Sequence, residues 1–221
     1  MLIRTWDAAR SESEWRTWIE AGRSFGTLCV NGRDGEAPDV VPTHFLLDDA
    51  ILWLHLAQVN PIFERILDNS AVSFTVIDDY TFIPGNWRAA SGANPSDGVP
   101  TSYYAAVIFQ GTASIMDDDE AKAEILRRQL AHFQPEGNHA PMEVGVKPYG
   151  PMLTGIRGLR IDIETVKAKF KNDDHKSEDL QARVAEHLRQ RGGAHDAGAR
   201  AQIVRRRAIA PDTIEGEARS S

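Results

Sequence analysis

Four short runs of β-branched and aromatic residues between residues 25 and 77 constrain the fold of this chain most strongly. Runs of this length, separated by segments rich in Gly, Asn and Asp, predict a meander of antiparallel strands. One run, Ile51–Ala57, is apolar on both faces, unlike a strand of a sheet that has one solvated side. We therefore expect it to lie between a barrel core and a second covering layer. The four runs are Phe25–Val30, Val40–Leu47, Ile51–Ala57 and Ala71–Ile77.

Helical periodicity and capping residues flank these runs and complete an α+β pattern. A barrel with flanking helices is the architecture that this order predicts. The alternation of the strand that begins at Leu159 changes phase at Thr165-Val166, where we expect a bulge or turn. The apolar stripe of the third helix is predicted to be Leu126, Leu130 and Phe133. The predicted helices are Glu12–Gly22, Ile62–Leu67, Asp117–Phe133, Ser177–Arg191 and Asp196 to about Ile209, and the further strands are Tyr103–Ile115 and Leu159–Ile163.

Composition excludes several classes of protein. The 221 residues contain 25 Lys and Arg against 32 Asp and Glu, a formal charge of −7, so binding of nucleic acid through bulk charge is not expected. The single cysteine, Cys29, excludes an internal disulfide and fits a reducing compartment, so we expect a cytoplasmic protein. No apolar run approaches the roughly 20 residues of a membrane helix, and no membrane association is expected. The last dozen residues have the composition of a disordered tail.

The segment HLAQVNP, which starts at His55, is the most informative local pattern. His55 lies on the same strand face as Ile51 and Trp53, where a histidine is more often a core residue than a ligand, although an unpaired imidazole could hold a metal. Asn60 and Pro61 suit the start of a helix, whose free N–H groups could bind a phosphate. An ordinary capped helix is the simpler interpretation.

Two further groups could bind an anionic, planar ligand. Lys167, Lys169 and Lys171 form a positive row on one strand face, which could meet a phosphate or could only protect an edge strand from aggregation. Tyr103-Tyr104 follows the glycine-rich loop 85–98 and could cover a ring or pack in the core. The phosphate-binding, zinc-protease and serine-hydrolase motifs are absent, which leaves those reactions with little support.

Taken in order, seven short motifs resemble the PaiB-type FMN-binding negative transcriptional regulators, which are relatives of the pyridoxamine-phosphate-oxidase split barrels. The resemblance spans about Phe25 to Arg191 and implies a split β-barrel over residues 1–191, with residues 192–221 as a C-terminal helix and tail. It also implies a homodimer that holds FMN in a groove between subunits. The motifs are FGTLCV, VPTHFLLD, HLAQVNP, FIPGNW, GVPTSYY, GIRGLRIDI and KAKFK.

The resemblance also implies the cofactor contacts. The HLAQVNP turn, with His55, Gln58 and Asn60, and the strand with Lys169 and Lys171 would face the phosphate end of the cofactor. The ring would lie near His44, Trp87, Thr101 and Tyr103. The resemblance does not imply catalytic residues, and a small-molecule substrate is compatible with this groove.

Departures from the family pattern introduce an alternative cofactor. Gln58 stands where the family has a cation, and Asn172-Asp173-Asp174 stands where KFK usually continues into LSQN. These departures imply weaker binding of the FMN phosphate. The chain resembles at these positions a branch of the fold that uses haem, which includes enzymes similar to piperazate synthase that join two nitrogens of N5-hydroxyornithine. There His55 would be the axial ligand and the only metal ligand. A transcriptional regulator is a further alternative, but the only basic cluster, Arg205–Arg207, ends a helix. We therefore expect a flavin-binding redox or regulatory protein, with a haem enzyme second.

Overall fold

The computed structural model describes residues 1–208. Its secondary structure follows the order expected from the sequence, and the α+β class is confirmed. The helices are Glu12–Glu20 (α1), Ile62–Asp68 (α2), Asp119–Phe133 (α3), Glu178–Arg191 (α4) and Asp196–Ala208 (α5). The strands are Phe25–Val30 (β1), Asp39–His44 (β2), Leu46–Asp48 (β3), Ile51–Ala57 (β4), Ala71–Ile83 (β5), Thr101–Met116 (β6) and Ile156–Lys171 (β7).

The seven strands form one sheet in the order β2-β1-β5-β6-β7-β4-β3. The edge strands, β2 and β3, are consecutive in the chain, and a single residue, Phe45, joins them. The sheet must therefore curl until its two edges meet, which closes it as in a barrel. Phe45 is 1% exposed and its ring contacts that of Phe74. The run Val40–Leu47, predicted as one strand, is thus two strands on opposite edges of the sheet.

The second face of β4 is covered within the same chain. Leu52, Leu54 and Leu56 point into the core, whereas Trp53 and His55 are half-buried on the other face. Helix α3 packs on that other face. The expectation that this strand lies between a core and a second layer agrees with the structure, and the second layer is a helix of this chain.

Helix α3 turns a different face inward from the one predicted. Its most buried residues include Ala123, Ile125 and Gln129, while Phe133 is 42% exposed. Gln129 is drawn inward because its amide hydrogen-bonds β4. The predicted stripe residues Leu126 and Leu130 are half-buried against Met142 and Leu153.

Strand β7 changes its buried face without interruption. Leu159 and Ile161 are buried in its first half, and Ala168 and Phe170 in its second, so the predicted change of phase is present. The strand assignment continues through Thr165 and Val166, so no turn interrupts the strand there, and the bulge stays a prediction. Residues 156–162 of β7 pair with β4. Beyond that pairing, the face that carries Ala168 and Phe170 is the buried one.

The residue contacts divide the chain into two compact units. One unit contains Gly22–Val76 and Ile108–Lys167. The other contains Met1–Ala21, Ile77–Val107 and the chain from Ala168 onward. In this second unit, α4 and α5 share an apolar cluster with Ile83 and Tyr103. The domain boundary at residue 191 stays a prediction, and the expected end of α5 at Ile209 and the tail after it lie outside the described residues.

None of the helices within residues 1–208 combines the length and the apolar character that crossing a bilayer requires.

Candidate functional site

The lysine row of β7 is only partly available for a ligand. The Lys171 ammonium donates to Thr101 Oγ1 at 2.9 Å, and both residues are half-buried. Lys169 donates to the Leu2 carbonyl at 3.0 Å and is 9% exposed. The ring of Tyr104 lies 5.5 Å from the Lys169 ammonium and 5.9 Å from that of Lys171. The Lys171–Thr101 pair, with Tyr104 beside it, is therefore the part of the row that can reach a ligand.

Edge protection does not account for these lysines. β7 lies between β6 and β4 in the sheet and is not an edge strand. Near Lys169 the N-terminal segment covers the strand, because Ala8 bridges to Lys169 and the Ala9 amide donates to the Ala168 carbonyl. Only Lys167 of the row is fully exposed.

Tyr103 faces the interior. It is fully buried, and its hydroxyl donates to Asp173 Oδ2 at 2.8 Å, while Arg88 Nε donates to the same oxygen at 2.7 Å. Burial and the neighbouring Asp173 raise the pKa of the phenol well above its usual value. Because successive strand residues face opposite sides, only one tyrosine of the pair could be buried, and the pattern did not show which. Tyr104 is the half-exposed member of the pair, so the residue placed near the cofactor ring, Tyr103, is the one in the core.

Trp87 packs on α4. Its ring stacks on His187 at a centroid distance of 4.9 Å and an angle of 14°, and the Arg191 guanidinium lies 4.7 Å from the indole. Both partners belong to α4, so Trp87 anchors the 3-10 helix Gly85–Arg88 to that helix.

The HLAQVNP turn and its helix have an ordinary capping arrangement. Asn60 Oδ1 accepts from the Ile62 amide at 3.1 Å, which is the capping contact predicted from the sequence. Gln58 is exposed, and its backbone amide donates to the Gly155 carbonyl. Helix α2 is only seven residues long. The simpler interpretation of this turn is the one that its contacts support.

His55 is held in one orientation by a short hydrogen-bonded chain. Gln129 Nε2 donates to the Trp53 carbonyl at 3.3 Å, so its Oε1 is the atom that faces His55 Nδ1, at 2.7 Å. An oxygen in this position requires a proton on Nδ1, which leaves the lone pair on Nε2. Burial lowers the pKa of His55. The hydrogen bond with Gln129 raises this pKa and the neighbouring His44 lowers it, and the net shift is downward. His55 is therefore a neutral imidazole with Nε2 available as an acceptor.

His44 is the immediate neighbour of His55. The two ring centroids are 5.0 Å apart at an angle of 70°, and the Phe133 ring lies 5.4 Å from that of His44. In residues 1–208 no group of three or more His, Cys, Asp or Glu side chains is arranged to hold a metal ion. The predicted site residues thus fall into two groups, His44 with His55 in one compact unit and Thr101 with Lys171 in the other.

The basic cluster at the end of α5 is bound internally. Arg206 is 2% exposed and donates to Glu14 Oε1 at 2.6 Å and to Asp174. Arg205 pairs with Glu14 as well, and Arg207 lies 3.8 Å from Glu178. Arg205 and Arg206 therefore serve the fold of this unit, and the cluster is not a free surface for phosphates.

Comparison with known families gives a match over residues 1–165 to the family described as "Putative FMN-binding domain". The chain belongs to this family. The resemblance noted from the motifs is confirmed. One relative of this FMN-binding family member is the protease synthase and sporulation protein PAI 2 of Bacillus subtilis, which is 25% identical over 169 residues, 75% of this chain and 78% of the relative.

Solved structures similar to this FMN-binding domain confirm the antiparallel split-barrel fold. The FAD and haem binding protein of Mycobacterium smegmatis has a TM-score of 0.58 at 16% identity, covering 80% of this chain and 78% of its own. The flavocytochrome Anf3 of Azotobacter vinelandii has a TM-score of 0.57 at 17% identity, covering 80% and 75%. At these identities the likeness concerns the fold.

The residues of this family member fit FMN in one respect and haem in another. A phosphate monoester needs a cation and hydrogen-bonding groups, which Lys171 and Thr101 supply at a half-exposed position. Haem iron needs an imidazole nitrogen with a free lone pair, which the contact with Gln129 prepares on His55.

Proposed function

We propose that this chain is an FMN-dependent redox protein that holds the cofactor phosphate at Lys171 and Thr101. The observation that carries the proposal is the contact of 2.9 Å between the Lys171 ammonium and Thr101 Oγ1 at a half-exposed position. A fixed ammonium beside a hydroxyl gives a dianionic phosphate both charge and hydrogen bonds. Membership of the FMN-binding family supports the choice of ligand.

FMN, when bound, supplies the transfer of hydride or single electrons. The residues of the chain bind and orient it. Lys171 neutralises phosphate charge, Thr101 contributes a hydroxyl, and the Tyr104 ring shields the ammonium from water on one side. Lys169 donates to the Leu2 carbonyl and lies 3.9 Å from the Asp7 carboxylate, so these partners inside the chain engage its ammonium and Lys171 is the cation assigned to the phosphate.

The test compares FMN with riboflavin, which lacks the phosphate. Lys171→Gln should weaken FMN binding by about tenfold or more, because a hydrogen bond to a charged group contributes about 1.5–3 kcal/mol. Riboflavin binding should stay unchanged. Lys167→Gln, an exposed lysine of the same strand, is the matched control and should bind FMN normally. Titration followed by flavin fluorescence measures both ligands, and equal weakening of both by Lys171→Gln would contradict the phosphate assignment.

We also propose that the functional form is a homodimer. Strand β5 exposes Ile77, Tyr80 and Phe82 by 65%, 53% and 51%, a row of large apolar side chains on one strand. Such a row is typical of a covered interface. Tyr80→Lys combined with Phe82→Lys should give a folded monomer in light scattering. Val59→Lys, which changes a 90% exposed valine in a turn, should leave the dimer intact. A wild-type chain that is monomeric at micromolar concentration would refute the proposal.

Haem is a second candidate cofactor. It is favoured because the hydrogen bond with Gln129 keeps the proton of His55 on Nδ1 and leaves Nε2 with a free lone pair. Under this proposal His55 is the axial ligand and Gln129 fixes its tautomer. Haemin added to the cofactor-free protein should give an intense Soret band, which His55→Ala removes and added imidazole restores. His139→Ala, which removes a histidine whose Nδ1 lies 2.9 Å from the Ala140 carbonyl, is the control. A Soret band of wild-type position and intensity in His55→Ala would exclude this ligand.

The regulatory alternative and the cytoplasmic location have less support from the side chains. A regulator that binds DNA would need free cations, and two of the three arginines at the end of α5 are closely paired with buried carboxylates. We propose a cytoplasmic location from the single free cysteine, Cys29. Purified protein that shifts DNA in a gel would reopen the regulatory alternative.

A further inference from the structure

We propose that His44 and His55 together form a binding site for a divalent transition-metal ion such as Zn²⁺ or Cu²⁺, with the remaining coordination positions open. The proposal does not depend on FMN. It differs from the haem candidate because it uses two imidazoles of the chain and needs no porphyrin.

The closure of the sheet brings the two histidines together. β3 pairs with β4 so that Leu46 lies opposite Trp53. His44 lies two residues before Leu46, at the end of β2, and its ring contacts that of His55 with the centroids 5.0 Å apart. The sequence separates the two by eleven positions and gives no ligand spacing of the usual helical or turn type.

The separation of the rings suits one shared metal ion. Zinc–nitrogen bonds are about 2.0–2.1 Å long and a ring nitrogen lies about 1.1 Å from the ring centre, so two imidazoles at a tetrahedral angle have centres about 5.2 Å apart. The observed centroid distance is 5.0 Å and the planes are inclined by 70°. The pair could therefore bind an ion with small rotations of the side chains and without movement of the strands.

The protonation pattern also suits a metal. Gln129 Oε1 accepts a hydrogen bond from the Nδ1–H of His55, which leaves the lone pair of the neutral ring on Nε2. Ligating histidines commonly have an outer partner of this kind, which fixes the ring and raises its basicity. Within residues 1–208 neither ring nitrogen of His44 has a hydrogen-bond partner, so both remain available. The ring of Phe133 borders His44 and limits how far it can swing.

A site with two protein ligands leaves room for water or a substrate. Three-ligand groups are absent from the described chain, so the other positions would be filled from solution. Imidazole ligands favour Cu²⁺, Ni²⁺ and Zn²⁺ over Mg²⁺ and Ca²⁺, and affinity should rise from Co²⁺ through Ni²⁺ to Cu²⁺. We expect one ion per chain.

The test uses the full chain, freed of metal by dialysis against a chelator and titrated with Zn²⁺ and with Cu²⁺ in a calorimeter. Electron paramagnetic resonance of the Cu²⁺ form should show two coupled nitrogen nuclei. His44→Gln and His55→Asn should each weaken binding at least tenfold and leave one coupled nitrogen. Gln129→Ala should weaken it about 10- to 100-fold, as loss of an outer partner does elsewhere.

His132→Ala is the matched control, because it removes an exposed histidine of α3 that contacts Phe133 but does not reach the pair. It should bind metal as the wild type does. Circular dichroism of each variant checks that it is folded. Binding that survives His44→Gln, or that His132→Ala abolishes, would overturn the proposal, as would a wild-type chain with one coupled nitrogen.

Discussion

Replacement of Arg206 by Ala should destabilise the chain more than any other single change at the end of α5. The side chain is 1% exposed, and its guanidinium donates to Glu14, to Asp174 and to the Ala8 carbonyl. Its removal takes away one of the two arginines that hold Glu14 and the shortest ion pair of Asp174, whose side chains are 3% and 9% exposed. Loss of one member of a buried ion pair costs about 3–5 kcal/mol. For a chain of this size that lowers the melting temperature by about 6–20 °C.

The stability difference between Arg206→Ala and the wild type should depend on pH in a definite direction. Burial alone would raise the pKa of Glu14, but the Arg10 amide together with Arg206 and Arg205 lowers it below its usual value. In the wild type this stabilisation is present above the unfolded pKa of about 4.3 and is lost as the pH falls through the lower folded value. In Arg206→Ala one of these causes is lost, so the pKa of Glu14 should rise toward its usual value, and the difference in stability from the wild type should be largest near neutrality and shrink toward acid.

Denaturation by urea, followed by circular dichroism and tryptophan fluorescence at several pH values, measures this difference. Arg207→Ala is the control, since Arg207 is 3.8 Å from Glu178, whose side chain is 89% exposed. Such pairs contribute about 0–1 kcal/mol. If the two variants were equally stable at neutral pH, the reasoning that this buried ion network holds α5 in place would be refuted.

Three further changes test other contacts of the same unit. Gly198→Ala should lower stability by about 1–3 kcal/mol through overpacking, despite about 1 kcal/mol of improved helix propensity, because a methyl group there meets the Asp79 carboxylate; thermal melts measure this. Tyr103→Phe should lower the free energy of unfolding by about 1–3 kcal/mol, because it removes a donor to Asp173. In the wild type this phenol should not ionise until the chain unfolds in alkali, and ultraviolet absorbance measures that ionisation. Asp196→Asn should cost about 1.5–3 kcal/mol at neutral pH, and the difference should vanish in strong acid, because the arginine bound to this carboxylate holds its pKa below the usual value; urea titrations at two pH values check the sign.

Secondary structure followed the sequence closely where one residue type decided it. Helix α4, predicted over Ser177–Arg191, has Ser177 as its N-cap and ends at Gly192 in the left-handed conformation. Periodicity did less well where a polar side chain made a buried contact. Gln129 points inward on α3 because it bonds His55 and Trp53, and no apolar pattern can show that.

Candidate ligand residues were harder to predict because several have internal partners. The sequence shows that Lys169 lies on a strand face, but not that the carbonyl of Leu2 lies against it. Trp87 and Tyr103 look suited to a planar cofactor, yet their rings contact α4 or the core. A side chain that can bind a ligand can also bind another part of the chain, and only the tertiary contacts decide between the two.

The pairing of His44 with His55 depends on a single feature of topology. In the sequence, residues 40–47 form one apolar run that predicts one strand, and a continuous strand would offer no reason for His44 to meet β4. The buried ring of Phe45 anchors the chain in the core at the point where it passes from β2, beside β1, to β3, beside β4. Because that passage joins the two edges of the sheet, it closes the barrel and brings His44, at the end of β2, beside His55 of β4. A polar substitution at Phe45 should therefore weaken the closure of the barrel and, at the same time, increase the distance between the imidazoles of His44 and His55.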